Sequence, residues 1–429
     1  METIVALATP PGNSGVAVIR LSGDGCKQIL TKIVGEEFEI IPRTMYLKKV
    51  KVGQAVDNCL VVFFAAPFSF TGEDVVEIQS HGGYFLAQSI IDECVRLGAR
   101  PASAGEFSKR AFLNGKMSLD QAEGLMELIN AETKLQLELG SKLMDGKLLG
   151  FIEQVSGELT DILAEIEAKL DYPEYEYSQA ESSNVLLRLK EIKDRIESIV
   201  ATSQKGQIIK NGIKVALTGA PNVGKSSLLN ALTNSNKAIV TEIAGTTRDV
   251  VEGEYIYKGI VFKLFDTAGI REGADRVEQI GIERALLAVE DADIVLKIFD
   301  SNNSFEVQTS KPVISVANKS DEQKLAGKDI IVSAKTGENI EKLKEMIFDK
   351  TVGENLNNGA FYLTNARHTE CMVRAAKNLA EAIEVFNNTT FDIVSNIIKQ
   401  AWHALKEITG ETGEEEIVDK IFSKFCLGK

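Results

Sequence analysis

Apolar side chains recur at helical spacing in two parts of the chain, on either side of a β/α stretch. Before that stretch, apolar stripes run over 148–170 and 185–199, and after it they run over 372–386, 397–405 and 417–425. Spacing of three and four residues predicts amphipathic helices that bury one face. We therefore predict that the β/α unit is inserted into one helical bundle. Separate helical domains are the alternative.

The first part of the chain has a different pattern. Short apolar runs such as "VAVIRLSG" and "NCLVVFFAAP" alternate with Gly, Pro and Ser and are typical of strands, whereas "AQSIIDECVRLGA" predicts a helix closed by Gly98. Ser118 and Gln121 have the spacing of a capping box, which predicts a new helix there. The predicted domains are an α/β domain over 1–116, a helical domain in two parts over 117–207 and 353–429, and an inserted α/β domain over 208–352.

Composition narrows the class of protein. The 429 residues carry a net charge of −14, which argues against a large nucleic-acid surface on this chain alone, because phosphate binding depends mainly on Lys and Arg. The five cysteines form no CxxC pair, which favours reduced thiols in a cytoplasmic protein. The opening "METIVALATPPGNSG" does not resemble a signal peptide, and no apolar run reaches the ~20 residues of a membrane span.

The middle unit contains a phosphate-binding motif. "KVALTGAPNVGKSSLLNAL" predicts a strand, a loop and a helix, and the loop has the form Gly219-x-x-x-x-Gly224-Lys225-Ser226. In such a loop backbone N–H groups surround the phosphates, the lysine reaches the β and γ oxygens, and the serine hydroxyl binds Mg²⁺. A chance match to so short a pattern is the alternative, and only further motifs at the right places along the chain can decide between the two.

Four further motifs occur in the order of a guanine-nucleotide site. "IAGTTRD" offers Thr247 as the second Mg²⁺ ligand, and "VFKLFDTAGI" places Asp266 near the metal and Gly269 near the γ-phosphate. "VISVANKSD" ends a buried strand with Asp321, whose carboxylate can accept the N1–H and 2-amino hydrogen bonds of guanine, and "IIVSAKTG" supports the base. The residues expected at the nucleotide are Asn222, Val223, Gly224, Lys225, Ser226, Ser227, Thr241, Glu242, Ile243, Ala244, Gly245, Thr246, Thr247, Asp266, Thr267, Ala268, Gly269, Asn318, Lys319, Ser320, Asp321, Ser333 and Ala334.

One residue common in regulatory GTPases is absent. The position after the DTAG motif, where a glutamine orients the attacking water, holds Ile270, whose side chain cannot form a hydrogen bond. Either hydrolysis is very slow or another residue positions the water.

Several segments together resemble the MnmE (TrmE) family of tRNA-modification GTPases over essentially the whole chain. They include "GAPNVGKSSLLNAL", "SFTGEDVVEIQSHGG", "GEFSKRAFLNGKMSLDQAEG" and the terminal "FCLGK". The resemblance implies a multidomain α/β plus α fold: an N-terminal folate-binding and dimerisation domain, a central helical bundle, and a P-loop GTPase (G) domain inserted in it. It also implies a homodimer that works in the cytoplasm with a partner, MnmG (GidA), on tRNA.

The resemblance assigns roles to further residues. It implies a K⁺ site at Asn222, Thr241, Ile243 and Thr246, and Glu278 as the group that orients the attacking water, which would answer the missing glutamine. It also implies that 5-formyltetrahydrofolate or 5,10-methylenetetrahydrofolate supplies a one-carbon unit for the wobble uridine. The residues expected to bind the folate are Arg20, Glu77, Lys116 and Lys429. Cys426 is expected to act in the tRNA modification rather than in GTP hydrolysis.

Two alternatives stay open at this point. A regulatory or ribosome-assembly GTPase that does no one-carbon chemistry would carry the same G-domain motifs, although "FCLGK" and the N-terminal segments favour the tRNA-modifying enzyme. Cys426 could also be a small hydrophobic residue at a helix end.

Overall fold

The structure is a computed structural model that describes residues 2–171, 179–220, 222–233, 252–266, 289–300, 308–322, 329–353, 361–412 and 415–428. The chain divides into two compact units. Unit 1 comprises 1–126, 141–193 and 374–429, and unit 2 comprises 127–140 and 194–373. The domain boundaries predicted at 116, 207 and 352 stay predictions.

Unit 1 begins with a six-stranded mixed sheet. Its strands are β1 (Ile4–Leu7), β2 (Ser14–Ser22), β3 (Met45–Val52), β4 (Ala55–Phe64), β5 (Val75–Gly82) and β6 (Arg100–Pro101). They are ordered β3-β4-β5-β2-β1-β6, with β1 and β6 parallel and the other pairs antiparallel. Helices α1 (Cys26–Val34) and α2 (Tyr84–Arg96) cover one face and share a core with Ile19, Val61 and Ile78. The other face carries Arg20 and Glu77, because neighbouring residues in a strand point to opposite faces.

The helices after this sheet begin where the sequence predicts. Ser118 N–H donates to Gln121 Oε1 at 3.0 Å, which is one half of a capping box, and α4 begins at the next residue. The described helices between β6 and β7 are α3 (Glu106–Leu113), α4 (Leu119–Ile129), α5 (Lys134–Met144), α6 (Lys147–Asp171), α7 (Gln179–Val200) and α8 (Ser203–Asn211).

The apolar stripe of α6 is buried along almost its whole length. Leu148, Ile152, Val155, Leu159, Ile162 and Ile166 are all inaccessible to solvent, whereas Leu170 is 39% exposed at the helix end. Helix α6 packs against a helix from the far end of the chain, Phe391–Thr409, whose Val394, Ile398, Ala401 and Leu405 are buried. Because these two helices precede and follow the middle unit, that unit is inserted in a helical domain, as the stripes predict.

Unit 2 contains a second six-stranded sheet. Its strands are β7 (Ile213–Gly219), β8 (Gly253–Tyr257), β9 (Ile260–Asp266), β10 (Ile294–Phe299), β11 (Val313–Ala317) and β12 (Ile330–Ile331), in the order β12-β11-β10-β7-β9-β8. All pairs are parallel except β8 with β9. Parallel strands bring their carboxyl ends to one edge, where ligands bind in sheets of this kind. The carboxyl ends of β7, β9 and β11 therefore share an edge.

The remaining described helices complete both units. They are α9 (Lys225–Thr233), α10 (Ile340–Thr351), α11 (Ala366–Val385), α12 (Phe391–Thr409) and α13 (Glu415–Phe422). No helix in the described part of the chain is both long and apolar enough to cross a membrane.

Candidate functional site

The loop between β7 and α9 holds the lysine of the phosphate-binding motif. Lys225 is only 6% exposed, and its Nζ donates to the carbonyls of Gly219 at 2.8 Å and Ala220 at 3.1 Å. Burial lowers the pKa of the ammonium from its ordinary value, since desolvation disfavours the charged form. The ammonium group of Lys225 thus reaches back to the first residues of the phosphate loop.

The residues expected to bind Mg²⁺ join α9 to the end of β9. Ser226 Oγ donates to Asp266 Oδ2 at 3.3 Å, so two groups 40 residues apart in sequence are hydrogen-bonded. A hydroxyl and a carboxylate are oxygen ligands of the kind that Mg²⁺ prefers. Among the described residues, no group of three His, Cys, Asp or Glu side chains could hold a metal on its own. This chemistry fits Mg²⁺ bound in part by the nucleotide phosphates.

Asn318 links the phosphate loop to the base-binding strands. Its Nδ2 donates to the carbonyl of Val223 at 3.1 Å, and its Oδ1 accepts from Ala334 N–H at 3.1 Å. Gly224 has a φ of +92°, and a Cβ there would lie 2.4 Å from Asn318 Nδ2. Glycine is therefore required both by the backbone conformation and by the close approach of Asn318.

Asp321 is held by groups from the neighbouring loop. Ser333 Oγ donates to Asp321 Oδ1 at 2.7 Å, and Lys335 Nζ lies 3.9 Å from Asp321 Oδ2. The hydrogen bond from Ser333, followed by the charges of Lys335 and Lys319, holds the pKa of the Asp321 carboxyl below its ordinary value. The carboxylate is therefore ionised at neutral pH and acts as a hydrogen-bond acceptor.

Two acidic residues that the sequence analysis did not predict contact Lys319 and Ser320, next to Asp321. Asp300 Oδ2 lies 3.6 Å from Lys319 Nζ, and Glu338 Oε2 accepts from Ser320 Oγ at 2.8 Å. Asp300 directly follows β10, so its place at the carboxyl edge of the parallel sheet was the signal that could have found it. Nothing in the local pattern around Glu338 distinguishes it from a surface charge.

Residues of the phosphate loop, of α9 and of the loops after β11 and β12 line a cavity of about 690 Å³. Its walls include Gly224 and Ser227, expected at the phosphates, and Asn318, Asp321 and Ala334, from the loops expected to bind the base. A pocket of this size is within the range of small-molecule sites, and it connects the two halves of the nucleotide site.

Part of the expected nucleotide site lies outside the described residues. This part comprises Thr241, Glu242, Ile243, Ala244, Gly245, Thr246, Thr247, Thr267, Ala268, Gly269 and Glu278. The K⁺ assignment, the second Mg²⁺ ligand and the water-orienting glutamate therefore stay predictions.

A second cluster of predicted residues lies on the open face of the unit 1 sheet. Arg20 and Glu77 are cross-strand neighbours on β2 and β5, and Arg20 Nη2 lies 2.8 Å from Glu77 Oε1. The guanidinium lies against the rings of Phe70 at 5.4 Å and Phe107 at 5.9 Å, measured to the ring centroids. Arg20 Nη1 also donates to the carbonyl of Gly428 at 3.4 Å, which brings the end of the chain to this pair.

Lys116 contacts the loop between β4 and β5, which also contains Phe70. Its Nζ donates to the carbonyl of Pro67 at 3.0 Å, and its methylene stem lies against Gly72. Phe70, which contacts Arg20, lies between these two positions in the loop. Sequence reasoning did not single out Phe70 or Phe107, because isolated phenylalanines are normally assigned to a core.

Cys426 differs from the other cysteines in its exposure. Cys26, Cys59, Cys94 and Cys371 are buried, whereas Cys426 is exposed to solvent. Burial raises the pKa of the Cys26, Cys59 and Cys94 thiols from the ordinary value of 9.0 to about 12. Lys429, the last predicted folate contact, lies outside the described residues.

Comparison with known proteins gives matches along the whole chain. The family model for the MnmE helical domain matches residues 119–426, and the model for the GTP-binding protein TrmE N-terminus matches residues 3–116. The chain is 37% identical over 452 residues to the tRNA modification GTPase MnmE of Thermotoga petrophila, covering 100% of both chains. It is 38% identical over 449 residues to the protein of the same name from Nitrosomonas eutropha, covering 100% of this chain and 99% of that relative.

Solved structures of GTP-binding proteins match a smaller part. Era from Aquifex aeolicus, in complex with GDP and AlF₄⁻, is 28% identical, with a TM-score of 0.26, and the match covers 38% of this chain and 65% of that chain. The full-length identities and the two family models carry the assignment. The chain belongs to the MnmE family of tRNA modification GTPases, and it is a GTP hydrolase.

Proposed function

We propose that this protein is a K⁺-dependent GTPase, activated when two G domains of a homodimer pair, and that it modifies tRNA in the cytoplasm. With an MnmG (GidA) partner it adds an aminomethyl or carboxymethylaminomethyl group to C5 of the wobble uridine. A tetrahydrofolate supplies the one-carbon unit. The observation that carries the proposal is that one chain has both the Ser333–Asp321 contact of the expected guanine site in unit 2 and, in unit 1, an Arg20–Glu77 ion pair that contacts Gly428.

The nucleotide half of the proposal assigns a role to each group. Lys225 neutralises phosphate charge and Asp321 selects guanine. Ser226 with Thr247 would hold Mg²⁺, which would supply positive charge beside the phosphates. K⁺ would be held by Asn222, Thr241, Ile243 and Thr246. Asn222 has a φ of +65°, a conformation in which asparagine is enriched and which fits its place in the tight phosphate loop.

Water activation is assigned to Glu278. Its carboxylate is expected to orient the attacking water through a bridging water, because Ile270 offers no hydrogen bond. Pairing of two G domains would exclude solvent from this site, and electrostatic stabilisation is stronger where water is excluded.

The folate half rests on the chemistry of the Arg20 cluster. A carboxylate such as Glu77 matches the paired N–H donors of a pterin ring, and guanidinium or ammonium groups match the carboxylates of a glutamate tail. Phe70 and Phe107 add apolar surface beside Arg20. We propose that Arg20, Glu77, Lys116 and Lys429 hold 5-formyltetrahydrofolate or 5,10-methylenetetrahydrofolate, which provides the one-carbon unit.

The net charge of the chain supports a role for a partner protein in tRNA binding. At a net charge of −14 the isolated chain offers little electrostatic attraction for phosphates. We therefore propose that the MnmG (GidA) partner supplies much of the tRNA-binding surface, and that the isolated protein binds tRNA weakly.

Nucleoside analysis tests the function directly. tRNA from cells that lack this gene should lose the modified wobble uridine, and a plasmid copy should restore it. Calorimetry of the purified chain should detect 5-formyltetrahydrofolate binding that Glu77→Gln weakens. Unchanged wobble nucleosides together with no folate binding would instead favour a regulatory or ribosome-assembly GTPase.

A further inference from the structure

The C-terminal tail, residues 415–428, is tied to the N-terminal part of unit 1. Phe422 and Phe425 are buried with Leu119 and Ala122 in one apolar cluster. Lys109 on α3 forms an ion pair with Asp419 on α13. Cys426 and Leu427, by contrast, are exposed, so apolar packing does not hold these two residues.

Gly105 receives the tail on one side of Cys426. It caps the start of α3 with a φ of +69°, and its N–H donates to the carbonyl of Cys426 at 3.4 Å. A Cβ at this position would lie 2.2 Å from the carbonyl oxygen of Phe422 and 2.9 Å from Phe425 Cβ. The obstructing oxygen belongs to the backbone, so a side chain at residue 105 requires the tail to move.

Gly428 packs against β1 on the C-terminal side of Cys426. It is buried, has a φ of +88°, and a Cβ here would lie 2.1 Å from the carbonyl oxygen of Leu7 on β1. Its own carbonyl accepts the hydrogen bond from Arg20 Nη1 at 3.4 Å. Chain geometry then keeps the Cα of Cys426 within about 7.6 Å of the Cα of Gly428.

We propose that Gly105 and Gly428 are positioning residues: they let the tail approach the N-terminal domain closely enough to hold Cys426 beside the Arg20–Glu77 pair. This inference rests on the proposed function only where it takes the Arg20–Glu77 pair as part of the folate site. The glycines act by having no side chain, because both contacts are with backbone atoms that cannot rotate away.

Hydrogen exchange measured by mass spectrometry on the full-length chain tests the proposal. Gly105→Ala and Gly428→Ala should each make the amides of 415–428 exchange at least about tenfold faster, since the tail then opens locally more often. Gly35→Ala is the matched control. Gly35 has a φ of +76° with nothing near a Cβ, so this variant carries the same kind of backbone strain without the clash. GTP hydrolysis should stay at the wild-type rate in all three variants.

Two readouts separate this proposal from the function on which it draws. Faster tail exchange in Gly105→Ala and Gly428→Ala, with exchange in Gly35→Ala like that of wild type, supports the positioning role. If the wild-type chain also binds no 5-formyltetrahydrofolate, only the folate assignment fails. Tail exchange at the wild-type rate in Gly428→Ala overturns the positioning role, whatever the chain binds. Gly428→Ala decides the matter if Gly105→Ala does not fold, because residue 428 lies at the very end of the described chain.

Discussion

Ser333 donates a hydrogen bond from Oγ to Oδ1 of Asp321 at 2.7 Å, across the gap between the loops that follow β11 and β12. This contact lowers the pKa of the Asp321 carboxyl and fixes the orientation of its oxygens. The group that is expected to select guanine is therefore oriented before any nucleotide binds, which reduces the ordering cost of binding.

Base selectivity should change when Asp321 is replaced by asparagine. Asp321→Asn exchanges one acceptor oxygen for a donor NH₂ group, which matches the 2-oxo group of xanthine better than the 2-amino group of guanine. Competition between GTP and XTP should show preference moving towards XTP. Ser333→Ala is the control: it removes the orienting bond, together with the hydrogen bond that Thr336 N–H donates to Ser333 Oγ at 3.2 Å, and it should weaken GTP binding by about two- to tenfold while GTP stays preferred. Unchanged GTP preference in Asp321→Asn would remove the base-selecting role of that residue.

Hydrolysis should depend on K⁺ through Asn222. Phosphate release in KCl should be much faster than in NaCl, and this difference should disappear in Asn222→Ala. Alanine is strained at the φ of +65° that Asn222 adopts, so Asn222→Gly serves as a second variant that relieves the strain. If Asn222→Gly keeps its response to K⁺, the asparagine side chain does not bind the ion.

Glu278 should affect turnover and leave binding unchanged. In Glu278→Ala, GTP hydrolysis should fall at least ~10²-fold, the usual scale for loss of a positioned acid or base, with nucleotide affinity near wild type. Single-turnover hydrolysis and equilibrium binding measure the two effects separately. Glu290→Ala, at an exposed glutamate, is the matched control and should hydrolyse GTP normally. Full turnover in Glu278→Ala would mean that another group orients the water.

Thiol labelling of the native protein should single out Cys426. At pH 8 the buried Cys26, Cys59 and Cys94 stay protonated because burial raises their pKa to about 12, and a thiolate is the reactive form. Peptide mass spectrometry after iodoacetamide treatment should find the label on residue 426, and on the other four cysteines only after denaturation. Label on Cys26 in the native state would show that the α1 core opens.

The same pKa shifts predict a loss of stability at alkaline pH. In the unfolded chain these thiols ionise near their ordinary value of 9.0, whereas in the folded protein they stay neutral up to about 12. Stability from the neutral thiols is thus fully present below pH 9 and is lost as the pH rises towards 12. Urea melts at pH 8 and 10.5 measure it, with a Cys94→Ala variant expected to lose less on going to the higher pH.

Cys426 should serve tRNA modification and take no part in GTP hydrolysis. Cys426→Ser is nearly isosteric, and it should keep K⁺-stimulated GTPase activity but fail to restore the modified wobble uridine in a complementation assay. Ser423→Ala changes another exposed tail residue and should restore it. Wild-type modification by Cys426→Ser would mean that the thiol is not needed for the modification, and a parallel loss of GTPase activity would contradict the separation of roles.

The sequence alone determined the features that depend on local spacing. The capping box at Ser118 and the stripe of α6 follow from helical periodicity, and the structure confirms both. The phosphate-loop, DTAG and NKSD motifs are also each recognised from residues a few positions apart. That these motifs meet depends on the fold, because parallel strands bring their carboxyl ends to one edge of a sheet.

Only the tertiary structure decided which distant groups meet. The register of β2 against β5 pairs Arg20 with Glu77, 57 residues apart, and the packing of the tail brings Gly428 to Arg20 across 408 residues. The same holds for Asn318, which joins Val223 to Ala334. No local pattern encodes such contacts, because they depend on how whole elements pack. For the same reason the need for glycine at 105 and 428 becomes visible only when the backbone of another segment lies where a side chain would be.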